Sequence, residues 1–355
     1  MSDTCSKTML AVAVTGVEEF SYERVEIPVP AAGEALVKVA FCGICGSDIP
    51  RYFNGAVHSF PQVLGHEFSG TVVSIGSGVD PQWINTNVAV APLVPCHNCE
   101  DCLSGHPSQC GRYSFIGSRQ QGALAEYVLV PARNLVRLDH LPLKLGALVE
   151  PLTVALHGIS MATTTAATHA LILGSGVIGL MALIALKARN VGSITMVDIN
   201  PWALDMANQL GSDYVLNSAV DDVHDHFSKH HKPTLVIETA GVVATRKQAL
   251  ELAGNNAEVV LIGTPGQELE LSVSEYEYLL RKELHVQGSW MSYSSPFPGQ
   301  EWREAPKLLA EMAEDVDKLV THVFPLEEAA KGFSVLVSPG EQRLKVMFTT
   351  GGDQS

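Results

Sequence analysis

Leu171-Ile172-Leu173-Gly174-Ser175-Gly176-Val177-Ile178-Gly179 reads as a buried strand, a glycine turn and the opening of a helix. The G-x-G-x-x-G spacing is common by itself, and its context gives it meaning. An apolar strand precedes it, an apolar helix follows, and Asp198 closes the next strand candidate nineteen residues after Gly179. Each part has a mechanical reason. Gly174 permits the tight turn, Gly176 lets the backbone approach a pyrophosphate, and Gly179 lets the helix pack close to the sheet. The helix start at Val177 and Ile178 offers amide donors and a favourable dipole to an anion. A carboxylate at Asp198 binds ribose hydroxyls and repels a 2′-phosphate, which favours NAD over NADP. The alternative is a glycine-rich connection in an unrelated α/β fold.

Working outward, strand candidates recur at 170–174, 193–199, 213–217, 234–240, 257–263 and 283–289. Helix-like segments lie between most of them, such as Val177 to Arg189, Pro201 to Leu210 and Ala244 to Ala253. Strand and helix in alternation predict a parallel sheet covered on both faces, and six strands complete a dinucleotide-binding domain. The first 150 residues differ, with short β-type runs at 36–41, 70–75 and 126–130 broken by Gly and Pro. After about 295 the alternation stops. Leu326, Ala329, Ala330, Phe333 and Val337 share a helical face, and Arg343 to Thr349 looks like a closing strand. That tail is too short to fold alone and is expected to pack onto the N-terminal β-rich domain.

Composition narrows the class. The chain has 355 residues, 46% of them hydrophobic and 17% charged, as in an ordinary globular protein of two domains. A net charge of −15 argues against nucleic acid or an anionic membrane as partner. Ala170 to Leu186 carries no charge, but its glycines and its length fit a strand and helix better than a membrane span. The start, MSDTCSKTMLAVAV, lacks the pattern of a secretory leader, and seven cysteines suggest a reducing, cytoplasmic setting.

Cys96, Cys99, Cys102 and Cys110 follow the pattern C-x₂-C-x₂-C-x₇-C. Thiolates at that spacing turn inward from a tight loop and complete a tetrahedron around zinc. An iron–sulfur cluster is the rival, though bacterial ferredoxins continue with a shorter gap and a proline. Disulfides are the bland reading. A closed four-thiolate site leaves no open position, so this zinc is structural. A second set is dispersed: Cys45-Gly46-Ser47-Asp48, Gly65-His66-Glu67 and Glu150-Pro151. A thiolate, an imidazole and a carboxylate make a three-ligand zinc site with a fourth position open. The residues alone leave open whether they converge.

Gly65-His66-Glu67-Phe68-Ser69-Gly70, with Gly76 and Val79 beyond, resembles the signature of zinc-dependent medium-chain alcohol and polyol dehydrogenases. The cysteine lobe and the glycine fingerprint stand in that family's order, so the resemblance covers nearly the whole chain. It implies an α/β fold with a Rossmann coenzyme domain at 153–293. A β-rich, GroES-like catalytic domain at 1–152 with 294–355 would carry a zinc lobe at 92–112. It implies two zinc ions per chain and NAD. Cys45, His66 and Glu150 would hold the catalytic zinc, with Glu67 as an alternating ligand or a neighbour of one. Asp48 would orient His66, and Ser47 would relay the substrate proton. A homodimer or homotetramer is the family's habit.

Three stretches resemble a branch that oxidises a phosphorylated hexitol, galactitol 1-phosphate, to a ketohexose phosphate with NAD. They are Asp48-Ile49-Pro50-Arg51, Phe115-Ile116-Gly117-Ser118-Arg119 and the long run from Gly288 to Trp302. Arg119 and Arg51 are the candidate phosphate donors, since Arg grips phosphate oxygens in pairs. Trp290 and Tyr293 are candidate pocket walls. Each of the four has a purely structural alternative. A neutral polyol such as sorbitol or xylitol is the competing substrate, and a non-catalytic zinc and NAD protein the reading from another class.

Asn87 stands where the family has Asp after Gly, and Asn tolerates a left-handed turn there. Ala123 stands where a second Gly is common, which costs stability if that position needs positive φ. His224, His226, His230 and His231 read as a solvated polar face, and Cys42 as a buried thiol.

Overall fold

The computed structural model describes residues 7–351, so the first six residues, where no leader was read, and the last four lie outside the description. The chain divides into two compact units, Met1–Glu150 with Tyr293–Ser355, and Pro151–Ser292.

The second unit carries six parallel strands, His169–Leu173, Ser193–Asp198, Tyr214–Asn217, Leu235–Glu238, Glu258–Leu261 and His285–Gly288. Numbered along the chain they lie in the order 3-2-1-4-5-6, the doubly wound dinucleotide-binding arrangement. Ala170 to Leu173 are buried because helices cover both faces of the central strand, which explains the uninterrupted apolar run. The uncharged stretch resolves into that strand and the helix Val177–Ala188, whose residues from Gly179 to Leu186 are all buried. Among the described residues no helix is long and apolar enough to cross a membrane.

The first unit is mainly antiparallel. Its larger sheet has seven strands, with Glu34–Gly43 at the centre beside Glu67–Ile75, Tyr127–Pro131 and Lys345–Thr349. The C-terminal tail therefore supplies a strand to the N-terminal sheet, pairing Met347 with Gly43 and Phe348 with Cys42. Gly43 is paired on its other side with Glu67. The tail helix Ala329–Val337 buries Ala329, Gly332 and Phe333, with Leu326 buried just before it. Val337, expected on that face, is 46% exposed because the helix ends there.

Both family departures are accommodated. The left-handed residue before the strand Asn87–Val90 is Asn85, at φ 61°, while Asn87 itself is extended and accepts from Thr71 Oγ1 at 2.8 Å. Ala123 is not among the positive-φ residues, and its N–H donates to Gly65 O at 3.0 Å. The feared strain is absent because the turn does not fall on that residue.

Candidate active site and metal centre

The four lobe cysteines present sulfur atoms all within 4.8 Å of one another. Cys96 Sγ and Cys102 Sγ are 4.0 Å apart, close to the ~3.8 Å that a tetrahedron with zinc–sulfur bonds of about 2.3 Å requires. All four are free thiols, so the disulfide reading fails. Backbone and guanidinium donors face the sulfurs: Cys96 N–H reaches Cys110 Sγ at 3.4 Å and Arg112 reaches Cys96 Sγ at 3.5 Å. The Cys96 thiol is drawn down to about 6, chiefly by a backbone hydrogen bond at Asn98. The donor set fits a divalent cation that prefers thiolates.

The dispersed residues converge as well. Cys45 follows the central strand, His66 and Glu67 lead into its neighbour, and one ligand atom from each lies within 4.8 Å of the other two. Glu150, expected as third ligand, stands outside that set, in the first turn of the helix Val149–Ser160. It is nevertheless close enough to feel the set. Burial pushes its carboxyl up to about 8, with His66, Glu67 and Cys45 also acting on it. Burial likewise pushes the Cys45 thiol up to about 11, with Glu67 the next cause. A thiol and several carboxyls thus share a buried space where their ionised forms are disfavoured, and a divalent cation removes that penalty. The residues fit zinc.

Asp48 fixes the surroundings. It is 1% exposed, and its carboxylate accepts from Cys45 N–H at 3.1 Å and from Arg51 Nη1 at 2.7 Å. It faces His66 Nδ1 at 3.7 Å, longer than a hydrogen bond. Arg51, read as a phosphate donor, instead directs Nη1 to Asp48 and to Ser47 Oγ at 3.2 Å. Their i, i+3 spacing on the helix Asp48–Phe53 explains the pairing. Ser47 is exposed at the start of that helix.

Sequence reasoning missed Lys345. Its side chain is 4% exposed, pairs with the Glu67 carboxylate and donates to Ile44 O at 3.1 Å. Burial alone would lower its pKa, but Glu67, Cys45 and Glu150 outweigh that and hold it above the ordinary value. The available signal was a lysine opening an apolar closing strand.

The loop Phe115–Arg119 docks directly on this cluster. Gly117, at φ 84°, lies against Gly65, where a Cβ would come within 2.5 Å of Gly65 O. The Phe115 ring meets His66 edge-on at 5.5 Å. Arg119 hangs from the same turn, its N–H bonded to Phe115 O at 2.8 Å and its exposed guanidinium 4.4 Å over the Tyr113 ring. Tyr293 fits the structural alternative left open for it. It is 2% exposed, stacks against Phe297 and Trp302, and its hydroxyl accepts from Leu93 N–H at 3.0 Å. It is a packing residue of the first unit. Trp290 is exposed in the second unit.

The glycine loop has the geometry its spacing implies. Gly174 adopts φ 103°, and a Cβ on Gly179 would strike Gly174 O at 1.9 Å. Gly176 caps the helix and faces open space, leaving the first amides, Val177 and Ile178 among them, toward the loop. Asp198 accepts from Ser175 N–H at 2.5 Å, Ile199 N–H at 2.7 Å and Asn200 N–H at 2.9 Å. It therefore staples the loop to the second strand while keeping lone pairs for a ligand. The histidine-rich helix Val223–Lys229 forms no such centre: His226 stacks on His230 at 4.3 Å and His224 pairs with Glu251 at 3.3 Å. Cys42 is buried, as expected.

The chain matches the family model of the alcohol dehydrogenase GroES-like domain over residues 31–140 and that of zinc-binding dehydrogenase over 177–311. It is 41% identical over 302 residues to galactitol 1-phosphate 5-dehydrogenase of Escherichia coli K12, covering 84% of this chain and 87% of that protein. Sorbitol dehydrogenase of Bacillus subtilis is 29% identical over 98% of this chain and 99% of its own. The crystal structure of the E. coli galactitol-1-phosphate dehydrogenase superposes with a TM-score of 0.91 at 38% identity, over 96% of this chain and all of that one. An E. coli CFT073 alcohol dehydrogenase (rspB) complexed with NADH gives 0.89 at 29%, over 97% of this chain and 100% of its own. A Sinorhizobium meliloti zinc-binding dehydrogenase bound to NADP gives 0.87 at 30%, over 96% and 99%. This chain belongs to the zinc-binding alcohol dehydrogenase family. It is an oxidoreductase of the polyol type, with GroES-like and Rossmann folds, that acts on small molecules.

Proposed function

We propose that the protein oxidises a secondary hydroxyl of a phosphorylated hexitol, galactitol 1-phosphate to tagatose 6-phosphate, with NAD and two zinc ions per chain. The observation that carries this is the packing of the turn Phe115–Arg119, which bears the exposed Arg119 guanidinium stacked on Tyr113, against Gly65-His66. The 41% identity to a galactitol 1-phosphate 5-dehydrogenase supports the same substrate.

Cys45, His66 and Glu150 would hold the catalytic zinc, with Glu67 in reserve, and Cys96, Cys99, Cys102 and Cys110 the structural one. Bound there, zinc supplies Lewis acidity that eases loss of a hydroxyl proton, and NAD supplies the hydride acceptor. Asp48 keeps Cys45 and the His66 ring in register. Ser47 Oγ, exposed and bonded to Arg51, takes up and passes on the substrate proton. Arg119 grips the substrate phosphate through paired donors. Its stacking on Tyr113 restrains the guanidinium beforehand, so less freedom is lost on binding. In the second unit the amides after Gly176 bind the pyrophosphate and Asp198 the ribose hydroxyls, disfavouring a 2′-phosphate. A homodimer or homotetramer completes the proposal.

The test is metal analysis plus initial rates on galactitol 1-phosphate, galactitol and sorbitol with NAD and NADP. Two zinc ions per chain and a preference for the phosphorylated hexitol with NAD are expected. Faster turnover of free sorbitol would replace this reading with that of a neutral-polyol dehydrogenase. The 29% identity to a sorbitol dehydrogenase and the engagement of Arg51 by Asp48 are what favour that second reading.

A further inference from the structure

A cavity of about 640 Å³ lies in the first unit, on a sheet face to which the chemistry above gives no task. Small side chains make it. Along the strand Thr8–Gly16, Met9, Ala11 and Ala13 alternate with Val12 and Val14, which are fully buried in the core. Ala11 is paired with Glu23 on one side and bridged to Ala125 on the other, while Ala13 is paired with Ser21. Three alanines and a serine in register leave a hollow, because each fills far less of the sheet face than Val or Leu would. Leu129 and Pro131 form one wall, and Pro61, Val63 and Gly122 another.

The charges of the cavity are all of one sign. Glu23, Glu26 and Glu34 line it, with no Lys, Arg or His among its walls. Glu34 has one oxygen engaged, accepting from Ala31 N–H at 2.9 Å. Among the described residues, the exposed Glu23 and Glu26 carboxylates have neither a hydrogen bond nor an ion pair. An apolar floor edged by unpaired carboxylates is complementary to a molecule with an apolar body and a positive end. The body gains by leaving water, and the ammonium finds counter-charge where the floor meets solvent. The volume lies within the range of roughly 300–1,000 Å³ typical of small-molecule sites. A net charge of −15 also concentrates cations around the chain and repels anions.

We propose that this cavity is a second binding site, taking a small amphiphilic organic cation of the alkylamine or arylalkylamine class. The alanine-floored hollow holds the apolar body, and Glu23, Glu26 and Glu34 hold the ammonium group. The inference stands apart from the substrate reading, which asks for a polar molecule carrying a phosphate.

Calorimetric titration of the metal-loaded protein with three probes sharing one body tests it: phenylbutylammonium, phenylbutanol and phenylbutanoate. The cation is expected to bind once per chain, about tenfold more tightly than the alcohol, as a few partly exposed ion pairs imply, with the anion weaker still. Glu23→Gln, Glu26→Gln and Glu34→Gln together are expected to bring the cation down to the affinity of the alcohol and to leave the alcohol unchanged. Ala13→Leu, which fills the hollow, is expected to weaken both. Should that variant fail to fold, the three glutamates decide by themselves. Absence of binding, equal affinity for cation and alcohol, or full cation affinity in the triple variant overturns the proposal. Val63 lies only three residues before His66, so the titration is repeated with saturating NADH and galactitol 1-phosphate. Persistent binding supports the separate cavity, whereas displacement puts the amine in the active site and overturns it.

Discussion

Asp48 and Arg119 carry the sharpest residue-level expectations. Asp48 accepts from Cys45 N–H and Arg51 and lies 3.7 Å from His66 Nδ1, so in the proposed metal site it would orient one thiolate and one imidazole at once. Replacing it by Asn keeps the size, removes the charge and is expected to lower metal affinity or activity about 10- to 100-fold; chelator competition measures the affinity. Arg119→Ala removes a charged hydrogen-bond donor worth about 1.5–3 kcal/mol, roughly 10- to 150-fold in kcat/KM. That loss is expected on the phosphorylated hexitol alone, and an equal loss on the free hexitol would strip Arg119 of its phosphate role. The residues alone left the convergence of Cys45, His66 and Glu67 open, and only the resemblance to the family pointed to it, because they come from separate stretches of the chain. For Arg51 the structural alternative gains from its bond to Asp48, three residues before it on a helix, a spacing readable in the sequence. Lys345 was illegible: its partner Glu67 lies 278 residues away, and only the register of the final strand joins them.

At the scale of elements, the cysteine lobe shows why a metal pattern reads so clearly. Between Cys96 and Gln109 only Pro107 and Ser108 are buried, while Leu103 is 75% exposed. A segment with so little apolar burial has no core to hold it, so the sulfurs must. Removing the metal by chelation, or Cys99→Ser, is expected to open residues 96–110 to rapid amide exchange and proteolysis. The parallel sheet of the second unit should stay protected. The helix Val273–Arg281 gives a pH expectation. Ser272 and Glu275 form a capping box, and Lys247, with Ser272, draws the Glu275 carboxyl down to about 2. Because the folded value lies below the unfolded one of about 4.3, this contribution is present above that pH. It is lost as pH falls toward 2. Amides in the first turn of that helix should exchange faster across this window, and Ser272→Ala should flatten the change while costing the cap about 1 kcal/mol. The six strands were legible because each apolar run is bounded by turn residues. The left-handed position at Asn85 was not, since two nearby Asn residues carry the same propensity and only the backbone chooses between them.

For the whole molecule, the open question of association has a physical handle in the second unit. His285–Gly288 is the edge strand of the six-stranded sheet, and a bare edge offers unpaired backbone donors and acceptors to another chain. Natural sheets blunt such edges with charge, yet this one shows Val286 at 39% exposure, with Trp290 also exposed just beyond. The neighbouring helix Val273–Arg281 buries none of its residues and leaves Val273, Tyr276 and Leu280 in the open. Scattered apolar residues need no explanation, but an edge strand and a helix exposing several together favour a covered face. The partner that needs no further assumption is a second copy, since a twofold axis lets the same edge meet itself. Val286→Lys would bring two ammonium groups together near that axis. The association is then expected to weaken by at least tenfold, with light scattering showing a dimer or tetramer for the wild type and a smaller species for the variant. Nucleotide binding to the glycine loop should persist, because two strands separate the strand of Val286 from the first strand, which leads into that loop, in the sheet order. An unchanged mass for Val286→Lys would move the interface elsewhere on the chain.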